Sequence, residues 1–310
     1  MLASILRLPS LLLAALFALA PSGAVLAQAP PQAGDPKAPI KVQQVRPGLH
    51  VLSGQGGNVV AWTGPDGIVL VDDSLAQAAP QLVEAVAKIA PGPIRFVVIT
   101  HWHPDHVGGS EALGRTGAVL IAQGNVRGRM SVAQHVEAYD LKVPPAPKAA
   151  LPIVTFAESL SLHMNGDDLE AIHVGNAHTD GDAIVWWDKA NAVHLGDLFY
   201  AGGYPFIDLG SGGSLAGVVA AIEQVLARAD AKTVVIPGHG AVSSRAELAA
   251  YRDMLVAVGR RVRQLVEDGT SDEQVLASRP TAEFDERYGK GAVDPDRFVR
   301  ILYADFSGGR

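Results

Sequence analysis

Residues 94–109 constrain this chain more than any other stretch. Ile94 to Ile99 is a short, continuous apolar run, rich in β-branched residues and bounded by turn formers, which is the pattern of a buried strand. It leads through Thr100 into His101-Trp102-His103-Pro104-Asp105-His106 and then Val107-Gly108-Gly109, with a helix expected to begin near Ser110. His101 and His103 cannot share a helix face, but in extended chain they point the same way. Pro104 favours extended backbone at His103. Two imidazoles can then grip one ion while Asp105 and His106 turn to a second. Surface or helix-capping histidines are the competing reading of these six residues.

Three more ligand-type residues weigh against that alternative. His178 lies in Ala177-His178-Thr179-Asp180-Gly181-Asp182, Asp197 in Leu195-Gly196-Asp197, and His239 in Pro237-Gly238-His239-Gly240. Each follows a predicted strand and is flanked by glycine or another small residue that lets backbone approach a crowded site. The chain has no cysteine, which excludes a disulfide scaffold, a thiolate metal site and a cysteine nucleophile. Imidazole and carboxylate without thiolate suit Zn2+, with Fe or Mn as alternatives. His50, His135, His163, His173 and His194 fall inside strand or helix patterns and read as ordinary surface or hydrogen-bonded histidines. Asp72 and Asp182 are candidates to accept the outer N–H of a metal-binding imidazole, with a plain turn role as the alternative for Asp72. Trp102 either walls the groove or packs on it. The glycine-rich segment 200–214 reads as a mobile loop beside the ions. Its Tyr200, Tyr204 and Phe206 are, with Trp102, the candidates for substrate contact.

The rest of the chain supplies a frame for these loops. Strands are expected over residues 42–52, 58–71 with a turn at 64–67, 118–122, 159–163, 169–174, 183–187, 192–195 and 233–236. Helices are expected over residues 80–89, 126–138 and 214–229. Ser244 with Glu247 reads as a capping box opening a further helix whose Leu248, Tyr251, Leu255, Val258, Val262 and Leu265 recur at steps of three and four. Ser271 with Gln274 caps one more. Residues 142–152 hold four prolines and read as irregular. Strands-then-helix occurs twice, which suits two sheets face to face with helices outside. Residues 1–27 read as a secretory signal peptide, with Arg7 ahead of an apolar run and small residues at 25–27. Residues 28–39 then read as a flexible linker and residues 40–310 as the functional domain, with a helical extension from about 268. An exported, periplasmic protein with no membrane span after signal removal follows. The 310 residues carry a net charge of −7, which sets nucleic acid aside and leaves a small-molecule substrate.

The motif set His-x-His-x-Asp-His, then His, Asp and His in order, resembles the metallo-β-lactamase superfamily over about residues 45–265. That resemblance implies an α/β fold: a four-layer αβ/βα sandwich of two mixed β-sheets with outer helices and the metals in a groove at one sheet edge. It assigns His101, His103 and His178 to a first metal and Asp105, His106 and His239 to a second, with Asp197 bridging. It implies a dinuclear zinc hydrolase whose metal-bound hydroxide, oriented by Asp105, attacks a carbonyl. Branches that need Cys or Ser at position 197 are not matched. Asp197 resembles glyoxalase II, lactonases and phosphodiesterases, but no Arg or Lys follows it until Arg228 to hold glutathione. Hydrolysis of a small ester, thioester, lactone or amide is the expectation, with β-lactams among the amides. The alternatives are a persulfide-dioxygenase-like enzyme using one iron and a non-catalytic metal-binding accessory protein.

Overall fold

A computed structural model describes residues 38–308; the signal-peptide reading of residues 1–27 and residues 28–37 of the linker lie outside them. The described chain opens with β1 (Lys41–Arg46), β2 (Leu49–Ser53), β3 (Val59–Gly64) and β4 (Gly67–Val71), paired antiparallel in that order. Helix α1 (Ala79–Ile89) crosses over to β5 (Ile94–Ile99). Helices α2 (Pro104–Val107) and α3 (Ser110–Arg115) lead on to β6 (Val119–Gln123). After α4 (Gly124–Met130), a ribbon of β7 (Gln134–Val136) and β8 (Leu141–Val143) precedes β9 (Val154–Phe156). Strands β4, β5, β6 and β9 are parallel and complete a seven-stranded mixed sheet.

The second sheet has six strands. These are β10 (Ser159–Met164), β11 (Asp167–His173), β12 (Ala183–Trp187), β13 (Ala192–His194), β14 (Val234–Ile236) and β15 (Ser243–Ser244). Only β13 and β14 pair in parallel, because α5 (Leu215–Arg228) crosses between them. Then come α6 (Arg245–Glu267), α7 (Asp272–Ala277), α8 (Asp285–Tyr288) and α9 (Pro295–Ser307).

Strand periodicity dictates the layering. Along β4, Ile68 and Leu70 join a core that includes Leu82 and Val86 of α1, whereas Val69 and Val71 join a core whose buried members all lie in strands. Along β12, Ile184 and Trp186 face the cluster containing α5 and α6, while Val185 and Trp187 face the first sheet's inner residues. Two sheets therefore share an inner core and each carries helices on its outer face, as the α/β sandwich reading expects.

Four local expectations need correction. Residues 42–52 form two strands, because Pro47-Gly48 turns the chain with Gly48 at φ +72°. The helix expected over residues 126–138 stops at Met130, where the Ser131 hydroxyl donates to the Arg127 carbonyl; Gln134–Val136 is a strand instead. The proline-rich stretch 142–152 keeps its prolines in irregular chain, but residues 142–143 belong to β8. The Ser244 hydroxyl caps α6 by accepting from the Glu247 amide, but the Glu247 carboxylate pairs with Arg287 of α8, so the reciprocal half is absent. The expected cap at Ser271 and Gln274 is complete in both directions. No described helix is long and apolar enough to cross a membrane.

Trp187 is fully buried between the sheets. Trp187→Ala should lower unfolding free energy by about 3–5 kcal/mol, read by denaturant titration. A loss under about 1 kcal/mol contradicts this packing.

Candidate metal centre

The site forms where β5 of one sheet and β13 and β14 of the other end side by side. The Ala183 amide donates to the Thr100 carbonyl, and the Asn58 amide donates to the Gly238 carbonyl, so the sheets are tied together beside it. His103 is extended (φ −63°, ψ 145°), as the following proline requires, and Pro104 opens α2. That short helix turns Asp105 and His106 away from the direction of His101 and His103.

The seven residues meet in two groups. Ligand atoms of His101, His103, His178 and Asp197 lie within 4.8 Å of one another, as do those of Asp105, His106, Asp197 and His239. Asp197 belongs to both. Its Oδ2 lies 3.8 Å from His101 Nε2 and 3.6 Å from His178 Nε2, and its Oδ1 lies 3.1 Å from His106 Nε2 and 3.3 Å from His239 Nε2. His239 Nε2 is 3.1 Å from Asp105 Oδ2.

Their outer atoms are fixed. His106 Nδ1 meets Asp72 Oδ2 at 2.7 Å. The Thr100 hydroxyl donates to the same Asp72 oxygen at 2.8 Å and accepts from His101 Nδ1 at 3.0 Å. His178 Nδ1 donates to the Phe206 carbonyl at 2.8 Å. His103 is reversed: Nδ1 faces His178, and Nε2 bonds Asp208 Oδ2 at 3.0 Å. Each of these partners aims one ring nitrogen inward with its lone pair available.

The inward atoms fit a cation. His101 Nε2, both Asp105 oxygens and Asp197 Oδ1 are buried without a hydrogen bond. Several lie near a neighbour in distance but not at hydrogen-bonding angles, which is the geometry of donors directed at a common point. Nitrogen and carboxylate donors in groups of four are a divalent-metal set.

Charge at the site follows burial and neighbours. Burial and the nearby His106 hold His101 well below the usual imidazole range, and burial with His103 pushes His178 down to about 4. Both are neutral and able to ligate at pH 7. Burial disfavours a charged His239, but Asp197 and Asp105 outweigh it and raise the imidazole to about 9. Burial likewise opposes ionisation of Asp197, yet His239 and His106 keep it well below the usual carboxylate range.

Asp72 has the role expected of it, towards His106. Asp182 instead accepts the His178 and Thr179 amides, holding the loop rather than a ring. Asp208 and Thr100 were missed as ring partners, since nothing in local spacing links Asp208 to a histidine 105 positions away. His194 is a buried structural histidine between the Asn58 carbonyl and the Gly196 amide.

The segment 200–214 is largely packed rather than projecting. Tyr204 and Phe206 are buried, and Tyr204 stacks on Phe298 with ring centroids 4.8 Å apart. Tyr200 donates its O–H to Asp197 Oδ2 at 2.5 Å and stacks on His239. Trp102 is also buried, with its indole N–H on Ser211 Oγ at 3.2 Å.

This chain belongs to the metallo-beta-lactamase superfamily, whose family model matches residues 53–239. A Bacillus cereus protein described as metallo-beta-lactamase type 2 is 25% identical over 190 residues, which is 61% of this chain and 69% of that one. The solved metallo-beta-lactamase from Pontibacter korlensis superposes with a TM-score of 0.59 at 20% identity, over 70% of this chain and 99% of its own. A stereoselective inverting sec-alkylsulfatase from Pseudomonas sp. superposes with a TM-score of 0.65 at 17% identity, over 87% of this chain and 51% of its own. The last two are likenesses of fold.

Two outcomes test the geometry. A Cβ on Gly238 would stand 2.1 Å from Asp197 Oδ1. Gly238→Ala should therefore cut metal affinity by roughly 10–100-fold in a chelator competition; unchanged affinity contradicts the bridge. His239, raised from 6.5 to about 9, stabilises the metal-free fold fully below pH 6.5 and loses that contribution as pH rises through about 9. Ions must displace its proton, so loading apo-protein at pH 7.5 in weak buffer should release about one to two protons per chain. Release of none contradicts the assignment.

Proposed function

We propose that this protein is an exported, dinuclear zinc hydrolase that cleaves a small ester, thioester, lactone or amide, β-lactams included. One observation carries the reading: two buried groups of nitrogen and oxygen donors share the Asp197 carboxylate. Ions bound there supply Lewis acidity and bring the pKa of water towards neutrality.

The chain's own groups do the rest. Neutral His101 and His178 present lone pairs, and their outer hydrogen bonds keep the rings from turning. Asp105, with neither oxygen engaged in a hydrogen bond, can accept one from an attacking water and orient it towards a carbonyl carbon. Tyr200 holds Asp197 Oδ2 in place between the two groups. His239 is the most exposed of the seven ligand side chains, at 20%, which puts the entrance on its side.

Metal analysis should find about two zinc per chain, which separates this reading from a mononuclear iron oxidoreductase. Metal-loaded protein should turn over at least one member of a panel of esters, thioesters, lactones and β-lactams. Asp105→Ala should lower kcat by roughly 10²–10⁴-fold with the circular dichroism spectrum unchanged. Full activity in that variant sinks the mechanism.

A further inference from the structure

The entrance at His239 opens onto a pocket of ≈ 190 Å³ whose far wall comes from the C-terminal part of the chain. Tyr200, stacked on His239, and Tyr204 form one side, with Gly203 between them in sequence. Gly291 and Val293 form the other. These two residues lie beyond the segment that the family model matches, which ends at 239.

The wall is anchored. The Tyr204 amide donates to the Tyr288 carbonyl at 3.2 Å, and the Tyr204 hydroxyl donates to Asp285 Oδ1 at 2.9 Å. Gly203 and Gly291 approach so closely that a Cβ on Gly291 would lie 3.1 Å from the Gly203 Cα. The pocket is thus narrow because two glycines touch, not because a bulky side chain fills it.

Size and charge select what enters. Pockets for drug-sized ligands run to roughly 300–1,000 Å³, and this one is ≈ 190 Å³. No Lys, Arg, Asp or Glu lines it. His239 is the one basic side chain in the lining and stands at the mouth, so a carboxylate at the far end, against Gly291 and Val293, would lose water with no Lys or Arg to pair with. The larger cavity nearby, ≈ 520 Å³ and bounded by Arg297 and Arg300, touches none of the seven metal-site residues.

We infer that this pocket receives the acyl group of a short, uncharged ester, thioester or lactone, and that residues 289–293 set its length limit. The inference rests on the hydrolase reading above. In the ester case, water adds to the carbonyl carbon, the C–O bond to the alcohol breaks, and the alcohol leaves with one of the water's protons.

The test uses metal-loaded protein and phenyl esters of acetate, butyrate and octanoate, with monophenyl succinate as an anionic match for the butyrate. Phenyl butyrate should exceed both the octanoate and the succinate in kcat/KM by at least about 10-fold. Gly291→Leu, and independently Ala292→Trp on the same exposed rim, should lower the butyrate-to-acetate ratio by at least about 10-fold. Equal turnover of succinate and butyrate, or a ratio that neither variant moves, overturns the inference. A second readout does not need turnover: uncharged N-methylbutyramide should shift the Val293 methyl NMR signals in wild type and not in Gly291→Leu. If those signals move while neither these esters nor any thioester, lactone or β-lactam of the panel is cleaved, the pocket stands and the hydrolase reading falls. If they do not move, the pocket falls whatever the esters show.

Discussion

The Asp197 carboxylate faces imidazoles on both of its oxygens while buried from bulk solvent. Four buried imidazoles and two buried carboxylates, with the partly open His239, form an arrangement that burial alone opposes, since each charge taken from water costs several kcal/mol. It persists because each group is compensated: neighbours of opposite sign hold Asp197 ionised and His239 protonated, and outer hydrogen bonds hold the rings. Divalent ions held by these groups would complete the compensation in place of protons. The two-sheet frame exists at this edge to hold that carboxylate still.

Backbone clearance is as much a part of the site as the ligands are. A Cβ on Gly57 would overlap the His106 ring at 2.2 Å, and one on Gly238 would overlap Asp197. Asp72 reaches both Thr100 and His106 from a left-handed backbone (φ 61°), a conformation that costs a non-glycine residue free energy. At Asp72, Gly57 and Gly238 the cost of an unusual backbone or a missing side chain is met by direct contact with a ligand residue.

The seven ligand-type residues were legible in sequence because four cluster in the turn that follows one buried strand, and His178, Asp197 and His239 each follow a strand beside small neighbours. The layered fold was legible because strands followed by a helix occur twice; β4 and β12 are apolar on both faces, as strands covered on both sides are, so which residue faces which core emerges only in the structure. What the sequence hid was long-range. The Asp208 carboxylate and the Phe206 carbonyl find His103 and His178 only through the tertiary fold. The turn at Pro47-Gly48 and the end of α4 were lost in stretches whose composition fits more than one conformation. The glycine-rich segment suggested mobility, but its aromatic residues are spent on packing: Tyr200 on His239, Tyr204 on Phe298 of α9, and Phe206 against Tyr139 and the rings of His103 and His178.

Ligands drawn from both sheets carry a thermodynamic consequence. Neither half of the chain alone contains a complete group of donors, since His178, Asp197 and His239 come from the second sheet's side and the others from the first. A partly folded chain would therefore have little affinity for ions, and the binding energy of any ion held there would accrue to the native state alone. Each tenfold excess of free ion over its dissociation constant adds about 1.4 kcal/mol to that state. If the site holds the proposed ions, their concentration around the protein would then set its lifetime against unfolding and proteolysis, separate from any role in turnover.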